Sequence, residues 1–168
     1  MATVRARLRR RVSEQGSELV ELMLVTPILL MLLAGIFDFG MLFRSWEIVT
    51  NAAREGARVG SLPGYAAEDV RARVEQYMKA SGAANSCTLQ TPAGGSCPSS
   101  DCSVCVIDRT DVPGPGVTKF SARAVTVVSR QTMPTLSWVT AIVGGTFGTV
   151  NVGSTSQMRT ESPMVTGP

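Results

Sequence analysis

The sequence predicts an α+β chain: a long N-terminal transmembrane helix that continues into a small extracytoplasmic domain, with a short helix and an antiparallel sheet of about three strands. Three observations carry this. The run Leu22 to Phe37 contains no charged residue. Helical spacing of small and apolar residues persists beyond that run as far as Gly60. Dense β-branched sequence appears late, in Val125-Thr126-Val127-Val128. Composition agrees, with 44% hydrophobic and 17% charged residues over 168 positions. Such a chain is too apolar to stay disordered, and it carries less charge than the roughly 25% of an ordinary soluble domain. The absence of histidine excludes Ser-His-Asp and Cys-His catalysis and any His-ligated metal. No catalytic residue, metal ligand or cofactor is therefore expected, and a non-enzymatic protein is expected.

The helix comes first. Asp38 interrupts the apolar run, and Phe39 to Phe43 continues it. The span 22–43 is about 33 Å long at about 1.5 Å per residue, against about 30 Å of bilayer hydrocarbon. Arg5, Arg7, Arg9, Arg10 and Arg11 precede it, while the sequence that follows is nearly neutral. That bias places the N-terminus in the cytoplasm and the rest of the chain outside the inner membrane. The basic residues then set topology, and no nucleic-acid partner is assigned. The apolar run is longer than the ~7–15 residues of a secretory signal, and no small-x-small cleavage site follows at once.

Beyond the span, Trp46, Val49, Ala53, Ala57 and Gly60 recur on one helical face, so one helix is expected from about residue 17 to 60. Pro27 removes one backbone donor and predicts a mild kink. Asp38, six residues before Arg44, is placed at the outer headgroups, with a buried contact to another membrane helix as the alternative. Arg54, Glu55 and Arg58 fall within one turn and form a charged, solvated face over the small residues Ala52, Ala53, Gly56, Ala57 and Gly60.

The organisation that follows is a basic cytoplasmic leader at 1–16, the long helix at 17–60, a domain at 61–161 and a flexible tail at 162–168. Leu62-Pro63-Gly64 breaks the helix. Ala66 to Lys79 has helical period with Val70, Val74, Tyr77 and Met78 inward, and its acidic start and lysine end suit the helix dipole. Val104 to Ile107 reads as a short strand, Asp111 to Gly116 as a turn, Lys119 to Thr132 as the strongest strand and Phe147 to Glu161 as the last. Pro134 to Gly145 reads as a short amphipathic helix or a loop.

Cys87, Cys97, Cys102 and Cys105 lie in one Ser/Gly/Pro-rich loop, 87–105. An even number of cysteines in a small domain outside the membrane reads as disulfides, with three pairings open. Two rival readings exist. Cys102-Ser103-Val104-Cys105 has redox-motif spacing, and four cysteines could hold zinc; only one C-x-x-C knuckle exists, and it runs into a strand.

Before the apolar run stand Arg9-Arg10-Arg11, then Gly16-Ser17-Glu18-Leu19-Val20-Glu21. A basic leader, a glycine, a glutamate five residues on and an apolar helix resemble the class III signal of type IV pilin-like proteins. Val20-Glu21-Leu22-Met23-Leu24-Val25-Thr26-Pro27, Gly35-Ile36-Phe37-Asp38-Phe39-Gly40 and Asn51-Ala52-Ala53-Arg54-Glu55-Gly56-Ala57-Arg58, in that order, resemble the TadE-like family, minor pilin-like proteins of the Tad/Flp tight-adherence pilus. Leu22 stands where the family often has Phe, and Asp38 where Glu is commoner; the chain is also much longer than a major Flp pilin.

The resemblance implies a pilin-like fold, prepilin-peptidase cleavage between Gly16 and Ser17, and Glu21 as the fifth mature residue. That glutamate would pair with the new α-amine of a neighbouring subunit in a helical bundle, each charge offsetting the desolvation of the other. It implies as partners the membrane, other pilin-like subunits, the Tad assembly machinery and the peptidase; beside the solvated-face reading of Arg54 and Arg58 stands the alternative that both dock a partner pilin-like subunit. Two other function classes stand beside it: an unprocessed inner-membrane anchored binding module of the cell envelope, and a membrane-tethered thiol oxidoreductase using Cys102 and Cys105.

Overall fold

The computed structural model describes residues 2–92, 96–114, 117–135, 137, 144 and 148–160. Helix α1 runs from Ala2 to Gly60 without a break. The leader, expected to precede the helix, is thus part of it; no glycine or proline occurs before Gly16 to oppose helix formation. The helix also continues through Pro27. Just before that proline, the Thr26 hydroxyl donates to the Leu22 carbonyl at 2.6 Å, holding a side-chain polar group inside the helix.

The turn Ser61–Gly64 reverses the chain, with Gly64 at φ 87°, and leads into α2, Ala67–Ala80. The Asp69 carboxylate accepts the Ala66 N–H at 2.8 Å, satisfying a donor at the start of this helix. Val70, Val74 and Met78 recur every four residues and are buried.

Four strands form one sheet in the order β1-β2-β3-β4: β1 Thr88–Leu89, β2 Cys102–Gly114, β3 Val117–Thr132 and β4 Thr149–Arg159. The three long strands pair antiparallel, and β1 adds a short parallel edge to β2. The expected outline of helix plus antiparallel sheet holds, with the parallel strand β1 as an addition. Asp111 to Gly114, expected in a turn, continues β2, and the register shifts between Arg109 and Gly114. Pro113 is tolerated there because β1 is too short to reach it, which leaves β2 at an edge. The remainder of that turn, most of the Pro134–Gly145 segment and the tail at 162–168 lie outside the described residues.

The register assigns the faces. Cys102, Ser129 and Val152 align across the sheet, as do Val104, Val127 and Ser154. These positions face α1 and α2, and Cys102, Val104, Val125, Val127 and Val152 join Val49, Ala52, Ala53, Ala57, Val70, Val74 and Met78 in one core. The layers meet most closely at Gly56. A Cβ there would stand 2.7 Å from Val74 Cγ2 and 3.2 Å from Val125 Cγ1, so α1, α2 and β3 approach through that missing side chain. Arg123 closes the far end, donating to Asp108 at 2.6 Å and to the Tyr65 carbonyl at 2.9 Å.

Candidate functional site

Two disulfides join the four cysteines: Cys87–Cys102 and Cys97–Cys105. Because Cys102 and Cys105 differ by an odd step along β2, their side chains leave opposite faces of the sheet. Cys87–Cys102 belongs to the core under the helices. Cys97–Cys105 pins the loop over the other face, where Ser100 and Ser103 also share a 2.6 Å hydroxyl bond. The C-x-x-C cysteines do not pair with each other, as a thiol–disulfide exchange motif requires them to. Among the described residues no cluster of His, Cys, Asp or Glu could hold a metal.

The remaining singled-out residues lie along α1. Gly16 and Ser17 are helical. Glu21 is exposed, one turn from Glu18, at the start of an apolar region. From Leu19 to Leu33 nearly every large side chain is exposed, in all directions around the axis. The helix is long and apolar enough to cross a membrane, and none of its most apolar window is buried by protein. A helix apolar on all sides is of the kind buried within a protein core or a membrane.

Asp38 differs from its sequence reading. It is 4% exposed, and its Oδ1 accepts the Thr135 backbone N–H at 3.3 Å. The Thr135 hydroxyl donates to the Ala34 carbonyl at 3.2 Å. The carboxylate is therefore covered by a turn of its own chain rather than exposed at headgroups. A charged side chain within a membrane segment is costly, which is the reason such a group takes a polar partner. No signal in the sequence pairs Asp38 with a residue 97 positions away.

On the upper part of α1, Arg54 and Arg58 are exposed one turn apart, and neither forms an ion pair among the described residues. Glu55 does not pair within its own turn. It receives two bonds from Arg73 of α2, at 2.7 and 3.1 Å, which join the helices.

A further charge cluster escaped the sequence reading. Glu75 on α2 accepts Lys79 at 2.6 Å, the Cys87 N–H at 3.2 Å and Arg71. Those donors, Lys79 foremost, hold its carboxyl down at about 2, from an ordinary value of 4.5. Arg71 also donates to the Cys87 carbonyl at 3.0 Å, and its bonds to Glu68 and Glu75 raise its own pKa. The cluster fastens the end of α2 to the disulfide segment.

The arrangement is thus a membrane-length helix bearing a compact head, and the segment that matters is the helix. A family model described as TadE-like protein matches residues 16–58. Residues 16–58 of the long helix are similar to that family. No curated protein and no solved structure matches the chain. The TadE-like match begins at Gly16, takes in Glu21, Asp38, Arg54 and Arg58, and ends before the domain that carries the cysteines.

Proposed function

We propose that the chain is a single-pass, non-enzymatic, pilin-like membrane protein that takes part in Tad/Flp pilus assembly. The TadE-like match on residues 16–58, the same helix that leaves its apolar surface uncovered by protein, carries this reading. The N-terminus lies in the cytoplasm and the domain outside the bacterial inner membrane, in keeping with the arginines before the span and the two disulfides after it. Prepilin peptidase cuts between Gly16 and Ser17. The freed α-amine pairs with Glu21 of a neighbour as helices pack in a filament. Arg54 and Arg58, one turn apart and without ion-pair partners in their own chain among the described residues, meet a second pilin-like subunit or the assembly machinery.

Intact mass and N-terminal sequencing of the protein from native membranes test the reading. A start at Ser17 is expected. A start at Met1 or Ala2 would replace a filament subunit by a fixed membrane-anchored binding module. Gly16→Ala should block maturation, and Glu21→Ala should spare cleavage but lower incorporation into pili. Normal incorporation of Glu21→Ala would sink the charge-pairing step.

A further inference from the structure

We propose that the domain does not stand clear of the bilayer: its end at Met133, Pro134, Thr135 and Ser137 is immersed in the adjoining leaflet, and the neighbouring groove holds a lipid acyl chain. The part of α1 below its lowest hydrogen bond to the domain, Leu19 to Leu33, is about 22 Å long at about 1.5 Å per residue, whereas the hydrocarbon is about 30 Å thick. The missing thickness cannot come from the N-terminal side, where Glu18, Ser17, Gln15, Glu14 and the arginines follow. It comes from the other side. Ile36 is 62% exposed, Phe37 58%, Phe39 60% and Phe43 60%.

These apolar side chains share helical turns with Ala34 and Asp38, which are bonded to Thr135. At that level one side of α1 faces lipid and the other faces the domain. Asp38 lies about 7 Å and Ala34 about 14 Å along the helix from Phe43, so the turn that reaches them enters the leaflet by a comparable depth. The sequence of this end permits it, since no charged residue occurs from Gln131 to Met158.

Above the turn, the α1 residues Phe39, Leu42, Phe43 and Trp46 and the β4 segment Val150 to Gly153, Asn151 included, line a mostly apolar groove of about 400 Å³. Its walls continue the lipid-facing surface of the span. The exposed Trp46 and Arg44 stand where aromatic and basic side chains mark the headgroup layer. Phe39, Phe43 and Trp46 form its α1 wall with bulky rings, whereas membrane helices approach closely over small residues, and Gly153 lies only on the β4 side, so a flexible acyl chain suits it better than a second helix. The inference rests on α1 crossing a membrane and is independent of pilus incorporation.

The test uses the full chain in nanodiscs, with spin labels on single added cysteines at Leu29, Pro134, Asn151 and Gln157, the two native disulfides being verified by mass. Leu29 reports on the span, and Gln157 on the distal end of β4. The expected result is that Leu29, Pro134 and Asn151 relax faster with oxygen than with a water-soluble nickel chelate, and that Gln157 reverses the preference. Ser137→Cys, on the same turn as Pro134, gives a second reading should loss of the proline ring disturb the turn. Nickel preference at both Pro134 and Ser137 with oxygen preference at Leu29 overturns the immersion while leaving the membrane helix. Nickel preference at Leu29 overturns the membrane reading itself. Strong dipolar broadening at Asn151 places a second copy of the chain in the groove and overturns the lipid assignment.

Discussion

Along one unbroken helix, Leu19 to Leu33 turn large apolar side chains outward in every direction, whereas Val49 to Gly60 bury alanine, glycine and valine on one side and hold Arg54 and Arg58 outward on the other. The contrast shows how a helix adapts to two surroundings. In lipid the environment is uniform and side-chain size is free, so bulk faces all ways and no periodicity is needed. Against α2 and the sheet the neighbours are fixed, and the available space sets the size of every inward residue. Gly35 and Gly56 make the point within one element: a Cβ at Gly35 meets nothing within 4 Å, and one at Gly56 meets two valine methyl groups within 3.2 Å.

The largest way to break the contrast is to release what holds the upper part in place. Cys87→Ala with Cys102→Ala opens a link between residues 15 apart that sits in the core beside α2. A closed loop of that length is worth about 3 kcal/mol, and chemical denaturation in detergent should register a loss near that size. The Cys97–Cys105 pair spans 8 residues on the opposite face, and its removal should cost roughly 0.5 kcal/mol less on loop-closure grounds. An equal or larger loss from the second pair would show that the outer-face loop, and not the core link, secures the domain.

A sharper comparison uses the two glycines. Alanine gains about 1 kcal/mol over glycine in a helix interior, and overpacking a filled core costs about 1–3 kcal/mol. Gly56→Ala should therefore destabilise the domain by about 1 kcal/mol, since Val74 and Val125 are buried and stiff at χ1. Gly35→Ala should leave domain stability unchanged. If thermal unfolding moves equally and in the same direction for both, the close approach at Gly56 is not what limits residue size there.

Much of this contrast was legible in the sequence, and for a physical reason. A charge-free run and a 3–4 residue periodicity are local properties, so the span and the inward face through Val49, Ala53 and Ala57 could be read directly. The same locality made Val70, Val74 and Met78 visible on α2. What escaped depends on distant partners. Strand β1 is only Thr88 and Leu89, held straight by pairing with β2 and by the adjacent Cys87–Cys102 link. Asp111 to Gly114 carried turn residues and yet extends β2, because β3 offers a partner. For Asp38 the local sequence offers only Arg44, six residues on, whereas Thr135, which covers it, lies 97 positions away. Of the residues proposed for assembly, sequence supplied the identities, while the proposed pairing with other subunits would involve contacts no single chain contains.

The smallest expected effect separates the two parts of the molecule by pH. The run Leu22 to Phe37 has no titratable side chain. The domain has Glu75, whose carboxyl is lowered from 4.5 to about 2 by Lys79, the Cys87 N–H and Arg71, against the opposing effect of desolvation. A carboxyl with a depressed folded-state pKa binds protons more tightly when the chain unfolds. Its contribution is therefore complete above about pH 4.5 and is lost as pH falls toward about 2. Urea midpoints of the domain should decline across that window, and Glu75→Gln should flatten the decline while leaving the helicity of the span unchanged. A Glu75→Gln protein with the same acid slope as the parent would remove Glu75 as the source of the sensitivity.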